Sequence, residues 1–99
     1  SEEVQYIQNA KRVQTLTIVY GGTGYGSVPD VTIAAPSGTG GQTATATCTV
    51  LAGVVNTVTI TYAGSGYTTN PIVTVTGGGG SGATITATIE QTNYIYYGQ

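Results

Sequence analysis

The sequence predicts an all-β fold, and three of its features carry this prediction. Threonine, valine and isoleucine supply 39 of the 99 residues, and all three favour strands because they are β-branched. Several segments alternate apolar and polar residues with a period of two, which is typical of half-buried strands. The chain has sixteen glycines, most of them between these segments, where turns are expected. Strong helix formers are scarce, so a helical or mixed α/β fold is disfavoured.

A repeat of about 40 residues organises the chain. Residues 15–33 (TLTIVYGGTGYGSVPDVTI) align with residues 57–75 (TVTITYAGSGYTTNPIVTV), and ten of the nineteen positions are identical. Each block runs into a glycine-rich loop, at 36–41 and 77–82, and then into a threonine-rich segment. The predicted unit is therefore a strand, a glycine corner, a short strand, a glycine loop acting as a flexible connector, and a long strand.

Alternation within each unit predicts one apolar face and one face covered by threonines. In the first strands, the apolar face is expected to carry Leu16, Ile18 and Tyr20, and likewise Val58, Ile60 and Tyr62. The third strands, 43–50 and 83–89, alternate in the same way, and Leu51-Ala52-Gly53 is a predicted hairpin turn. One-sided burial favours antiparallel pairing. Short antiparallel strands of this kind fit a small β-sandwich or a three-sided β-prism.

One compact domain is predicted, with four segments along the chain. They are a leader or assembly arm at 1–14, a first repeat at 15–56, a second repeat at 57–89, and a tyrosine-rich tail at 90–99. The ends lie outside the repeats and concentrate aromatic residues, which dominate interface energetics. The candidate interface residues are Tyr6, Tyr94, Tyr96 and Tyr97.

The same glycine corner occurs in both repeats. Its predicted structural residues are Gly24, Tyr25 and Pro29 in the first repeat and Gly66, Tyr67 and Pro71 in the second. Glycine permits the turn, and proline fixes the entry to the next strand. The tyrosine ring is expected to close the end of the core with its hydroxyl bonded to a loop. The alternative is that these tyrosines are stacking platforms for a sugar.

The composition disfavours catalysis, metal or cofactor binding, and binding to nucleic acid or anionic membranes. The chain has no histidine, only two lysine or arginine residues and a net charge of −2, so nucleic acid and anionic membranes are poor partners. No catalytic, cofactor-binding or metal-binding residue is predicted. The Gly77, Gly79 and Gly82 pattern formally matches a dinucleotide loop, but a strand follows it where a helix would be needed. Cys48, the only cysteine, is predicted to be a small buried residue on the apolar face.

A small apolar core predicts self-association. Large aliphatic side chains are few, glycine is abundant, and a single cysteine cannot form an internal disulfide. Contact between copies is the remaining way to stabilise such a chain. The regular threonine rows also suggest an alternative role in binding ice.

The segment GSGYTTNPIVTVTGGGGSGATITATI resembles the GSGYTxxPxVTxxGGGGxGA repeats of tailed-phage virion proteins, including those of cyanophages. The resemblance covers residues 15–89, although the first copy departs from it at Asp30 and at 34–36. It implies a non-enzymatic protein of the virion surface, such as a capsid decoration, fibre or tail-accessory subunit. Its expected partners are copies of itself, as a trimer or higher assembly, and other virion proteins. The alternative is a subunit of an extracellular bacterial filament or surface layer at the cell surface. A carbohydrate-binding or ice-binding module is the third interpretation.

Overall fold

The computed structural model describes residues 11–37 and 40–90 and contains strands but no helix in this part of the chain. The strands are β1 (Val13–Thr23), β2 (Asp30–Ile33), β3 (Thr45–Leu51), β4 (Val54–Tyr62), β5 (Val73–Thr76) and β6 (Ser81–Ile89). Strands β1 and β6 form one sheet, and the order β4-β3-β2-β5 forms the other. Every strand pair is antiparallel. The predicted all-β, antiparallel architecture is confirmed as a small two-sheet sandwich.

The core lies between the two sheets and is built from small and medium side chains. One cluster comprises Val13, Ile33, Ala44, Ala46, Tyr67, Ala87 and Ile89, and a second comprises Tyr25, Cys48 and Val55. Both sheets contribute to the first cluster. Because Ala44, just before β3, and Ala46, on its inner face, are small, the sheets can approach closely without a layer of large aliphatic residues.

The two repeats pair with each other around a pseudo-twofold axis. Strands β1, β2 and β3 correspond to β4, β5 and β6, so the β1–β6 pair is equivalent to the β4–β3 pair. The short strands β2 and β5 pair with each other. Equivalent backbone bonds tie both corners, since Tyr25 N donates to Gly53 O at 3.0 Å and Tyr67 N donates to Lys11 O at 3.2 Å. Residues just before the predicted first repeat therefore take part in the fold, and β1 begins at Val13.

The predicted two faces are present, but a bulge interrupts them near the end of each first strand. The register skips Val19 in β1 and Thr61 in β4, which are equivalent positions. Beyond the bulge, Tyr20 lies opposite Thr84 and Tyr62 lies opposite Thr45, on the threonine-covered faces. The prediction that Tyr20 and Tyr62 are on the apolar face was therefore wrong. Their side chains are 67% and 51% exposed, because an extra residue moves the next side chain to the other face.

The β3–β4 hairpin turns where predicted, with Ala52 and Gly53 as its two central residues. Both have positive φ, 54° and 81°, which is the geometry of the two-residue turn that matches strand twist. At the opposite end of the sandwich, the equivalent place is taken by two separate chain segments. Glu90 N donates to Arg12 O at 2.9 Å, and Arg12 N donates to Glu90 Oε1 at 3.0 Å.

A matched pair of glycine substitutions tests the close approach of the two repeats. Gly64 has φ of 73°, and a β-carbon there would lie 2.6 Å from Gln42 O. Gly26 has nothing within 4 Å of its β-carbon position. We expect Gly64→Ala to lower the free energy of unfolding by about 2 kcal/mol or more, and Gly26→Ala to change it far less. Urea denaturation of both variants measures the difference, and equal effects would contradict the pairing described here.

Candidate interaction surfaces

The tyrosine rings of the two glycine corners are buried in the core and are not open platforms. Tyr25 and Tyr67 are 5% and 2% exposed. Gly22 and Gly64 turn the chain tightly beneath the two rings, with nearly the same φ, 69° and 73°. In both cases a β-carbon on the glycine would lie 2.9 Å from the tyrosine Cε2 atom. Stacking of a sugar needs an exposed ring face, so this burial removes the sugar-platform interpretation of these tyrosines.

The two corner hydroxyls differ in their hydrogen bonds. The Tyr67 hydroxyl donates to Ala34 O at 2.7 Å and accepts from Ala44 N at 3.0 Å. It thereby joins the loop after β2 to the segment before β3. The Tyr25 hydroxyl accepts from Ala83 N at 3.4 Å, which is a longer and weaker bond.

The glycine loop after β5 packs directly on the Tyr25 ring. A β-carbon at Gly80 would lie 2.6 Å from the Tyr25 Cγ atom, and one at Gly78 would lie 2.9 Å from its Cδ1 atom. Gly26 N also donates to Gly78 O at 2.9 Å. The expectation of a flexible connector is therefore wrong for this loop, because its glycines let the backbone lie against an aromatic face.

The unequal hydrogen bonds of the corners predict unequal effects of removing each hydroxyl. Tyr67→Phe leaves the buried Ala44 N–H without its partner, so we expect a loss of about 1–3 kcal/mol in the free energy of unfolding. Tyr25→Phe keeps the same ring and breaks only the long bond, so its loss should be smaller. Thermal or urea unfolding compares them, and a larger effect at Tyr25 would be inconsistent with this geometry.

Cys48 is buried on the inner face of β3, as predicted. Its thiol donates to Pro29 O at 3.6 Å. Burial, and to a lesser extent the nearby negative charge of Asp30, raises the pKa of the Cys48 thiol. A raised pKa and burial both oppose formation of a reactive thiolate. Cys48 is therefore a packing residue, and its counterpart in the second repeat is Ala87.

Thiol labelling tests the strand register at this position. We expect an aromatic disulfide reagent to label Cys48 at least about 10-fold more slowly in the native chain than in guanidinium chloride. Because the folded state raises the pKa of the thiol, the unfolded chain loses its proton first as the pH rises. The free energy of unfolding should therefore fall above the ordinary thiol pKa, and Cys48→Ala should remove that part of the fall. Fast native labelling would place Cys48 on the outer face.

Two equivalent grooves lie where the short strands splay from the long ones. The groove between β2 and β3 has a volume of ≈ 390 Å³ and includes Asp30, Thr47 and Cys48 in its lining. Its counterpart between β5 and β6, of ≈ 350 Å³, includes Ile72 and Ala87. The repeat thus keeps the groove but not its chemistry, since a carboxylate in one copy is replaced by isoleucine in the other.

Within residues 11–37 and 40–90, the potentially reactive side chains are dispersed. This part contains no group of three histidine, cysteine, aspartate or glutamate residues that could hold a metal ion. The serines lie in loops or at strand ends, and the Ser37 hydroxyl contacts the Thr68 hydroxyl at 3.2 Å. No helix long and apolar enough to cross a membrane occurs in the same part of the chain.

The outer faces of both sheets are covered by threonines that contact one another across strands. The Thr45 and Thr61 hydroxyls are 2.7 Å apart, and those of Thr49 and Thr57 are 2.6 Å apart. On the other sheet the hydroxyls of Thr15 and Thr88 also contact each other. Such cross-strand pairs stabilise a sheet directly. The rows are divided between two sheets, and the ice-binding alternative has no further support from this arrangement.

Seven large apolar side chains are exposed on the described surface. They are Val19, Tyr20, Val28, Leu51, Val54, Tyr62 and Ile72. Sequence alternation placed Tyr20 and Tyr62 on the wrong face because it assumed unbroken strands. The one signal available was their position beside turns, where a strand face has no neighbouring strand to cover it.

Four of these residues belong to one end of the sandwich. Leu51 and Val54 pair across the β3–β4 turn, and Val54 lies directly on the backbone of Gly21. This contact places the turn beside β1 at Gly21, the residue that directly follows Val19 and Tyr20 in the sequence. We call Val19, Tyr20, Leu51 and Val54 the turn-end patch. The candidate interface residues from sequence, Tyr6, Tyr94, Tyr96 and Tyr97, lie outside the described residues.

Comparison with known proteins gives no relative: no family model, no curated protein and no solved structure matches the chain.

Proposed function

We propose that the chain is a non-enzymatic structural subunit that works through contacts with copies of itself. The observation that carries this proposal is the exposure of large apolar side chains on a nearly uncharged surface. Leu51 is 66% exposed and Ile72 is 76% exposed. The charged side chains of the described residues are Lys11, Arg12, Asp30 and Glu90. Little electrostatic repulsion therefore opposes association, while covering the apolar side chains favours it.

The same proposal assigns the subunit to the surface of a phage particle, as a capsid decoration, fibre or tail-accessory protein. Support for this location comes from the repeat motif, whose glycines and tyrosines have definite roles in the fold. Tyr67 belongs to the core, and Gly78 and Gly80 pack on the Tyr25 ring; all three lie within the motif. A motif that specifies a stable module and leaves a threonine-covered exterior suits a particle component exposed to solvent.

Analytical ultracentrifugation of the purified 10.0 kDa chain tests self-association. At micromolar concentration and neutral pH we expect a species of several copies that dissociates on dilution. Because apolar contacts carry the association, moderate salt should leave it intact. A folded monomer at every concentration up to the millimolar range would contradict the proposal.

Immunogold electron microscopy with an antibody to the chain tests its location. In material from the source organism, we expect gold on virus particles. Labelling of cell-surface filaments with no labelled particles would contradict the virion assignment and support the filament alternative.

A further inference from the structure

We propose that the tyrosine segment at 94–97 of one copy binds the turn-end patch of a neighbouring copy. This inference rests on the proposed function, because it specifies the contact through which the subunits associate. It follows from the placement of the patch, from the place where the chain leaves the sandwich, and from the distance between them.

The patch and the exit of the chain are at opposite ends of the long strands. Val13 N donates to Ala63 O, whereas Gly21 lies against Val54, so β1 and β4 run antiparallel along each other. Glu90 is held beside Arg12 by one backbone hydrogen bond, by a bond from Arg12 N to the Glu90 carboxylate, and by an ion pair of 3.0 Å. The segment after Glu90 therefore starts at the end of the sandwich farthest from the β3–β4 turn.

This separation keeps the tyrosine segment from covering the patch of its own copy. The eight residue-to-residue steps from Val13 to Gly21 span about 26 Å at the rise of a strand. A fully extended chain carries Tyr94 at most about 14 Å from Glu90 and Tyr97 at most about 25 Å. Even a fully stretched segment would bring only its last ring to the patch. The segment as a unit can reach the patch only on another copy.

The chemistry of the two surfaces is complementary. Residues 91–99 (QTNYIYYGQ) carry no charged side chain, and neither does the turn-end patch. Association therefore desolvates no ion, which is the costliest part of covering a surface. Tyrosine rings supply apolar area, and their hydroxyls can bond to a threonine-rich rim such as Thr84, which lies opposite Tyr20.

A contact between two different surfaces of identical subunits is heterologous. Each copy then gives its segment to one neighbour and its patch to another, so copies add in succession and form a ring or an open filament. A symmetric contact between two patches would instead stop at a dimer. This difference allows a complementation experiment on the full-length chain.

The experiment uses two variants that each disable one surface. In the segment variant, Tyr94, Tyr96 and Tyr97 are replaced by serine. In the patch variant, L51T and V54T are combined, because threonine keeps strand propensity. The control is I72T, which removes a more exposed apolar side chain outside the patch. Circular dichroism checks that all three retain the β-sheet spectrum of the wild type.

Ultracentrifugation should show that wild type and I72T form assemblies. Each disabled variant alone should be a monomer, with an association constant at least 10-fold lower than that of wild type. An equimolar mixture of the two variants should form a 1:1 dimer and nothing larger, since one intact surface remains on each partner. Wild-type-like assembly of the patch variant, or no dimer in the mixture, would overturn this inference and leave the proposed function standing. A monomeric wild type would instead overturn the proposed function.

A second measurement remains decisive if either variant fails to fold. A synthetic peptide of residues 90–99 is titrated into the isotope-labelled wild-type chain at a concentration below its self-association. We expect the largest chemical-shift changes at Val19, Tyr20, Leu51 and Val54. No change there, or larger changes at Ile72 and its groove, would overturn the proposed contact.

Discussion

The structure depends on one constraint: neither repeat can cover its own apolar face. Each repeat presents two long strands whose inner residues are small or medium in size, such as Ala46, Ile60 and Ala87. The longest strand pairs, β1–β6 and β3–β4, both join the two repeats, as does the β2–β5 pair. Folding is therefore an association of two similar halves, and the core exists only when both are present.

The glycines serve this association. Where the repeats cross, Gly22 and Gly64 let a backbone from the other repeat come within a distance that no β-carbon would allow. The tyrosine three residues later then closes the gap with a ring and a hydroxyl. Because the glycines let the backbones approach closely and the tyrosine rings fill the remaining space, a core forms with few large aliphatic residues.

Sequence reasoning recovered the features that depend on local pattern. The repeat, the order of strands, the β3–β4 turn and the burial of Cys48 all follow from alternation and turn chemistry near each residue. The exposure of Tyr20 and Tyr62 did not, because a bulge at Val19 or Thr61 leaves no mark in an alternating sequence. The packing of Gly80 on Tyr25 also escaped, since 55 residues separate them and local propensity carries no information about such pairs. The turn-end patch escaped for the same two reasons, because it combines a bulge with a contact between distant strands.

The meeting of Arg12 and Glu90 has a consequence for how this fold tolerates rearrangement of its gene. These residues occupy the place that Val54 and Leu51 occupy in the other half, where a two-residue turn suffices to join the strands. Between Arg12 and Glu90 the path of the backbone is therefore almost a closed loop, and the fold does not depend on where along this path synthesis begins. A circularly permuted chain, opened between Ala52 and Gly53 and joined from Glu90 to Arg12 by a short turn, would form every strand pair seen here. The point at which this loop is opened is thus an adjustable property, and evolution or design can place it at either end of the same sandwich.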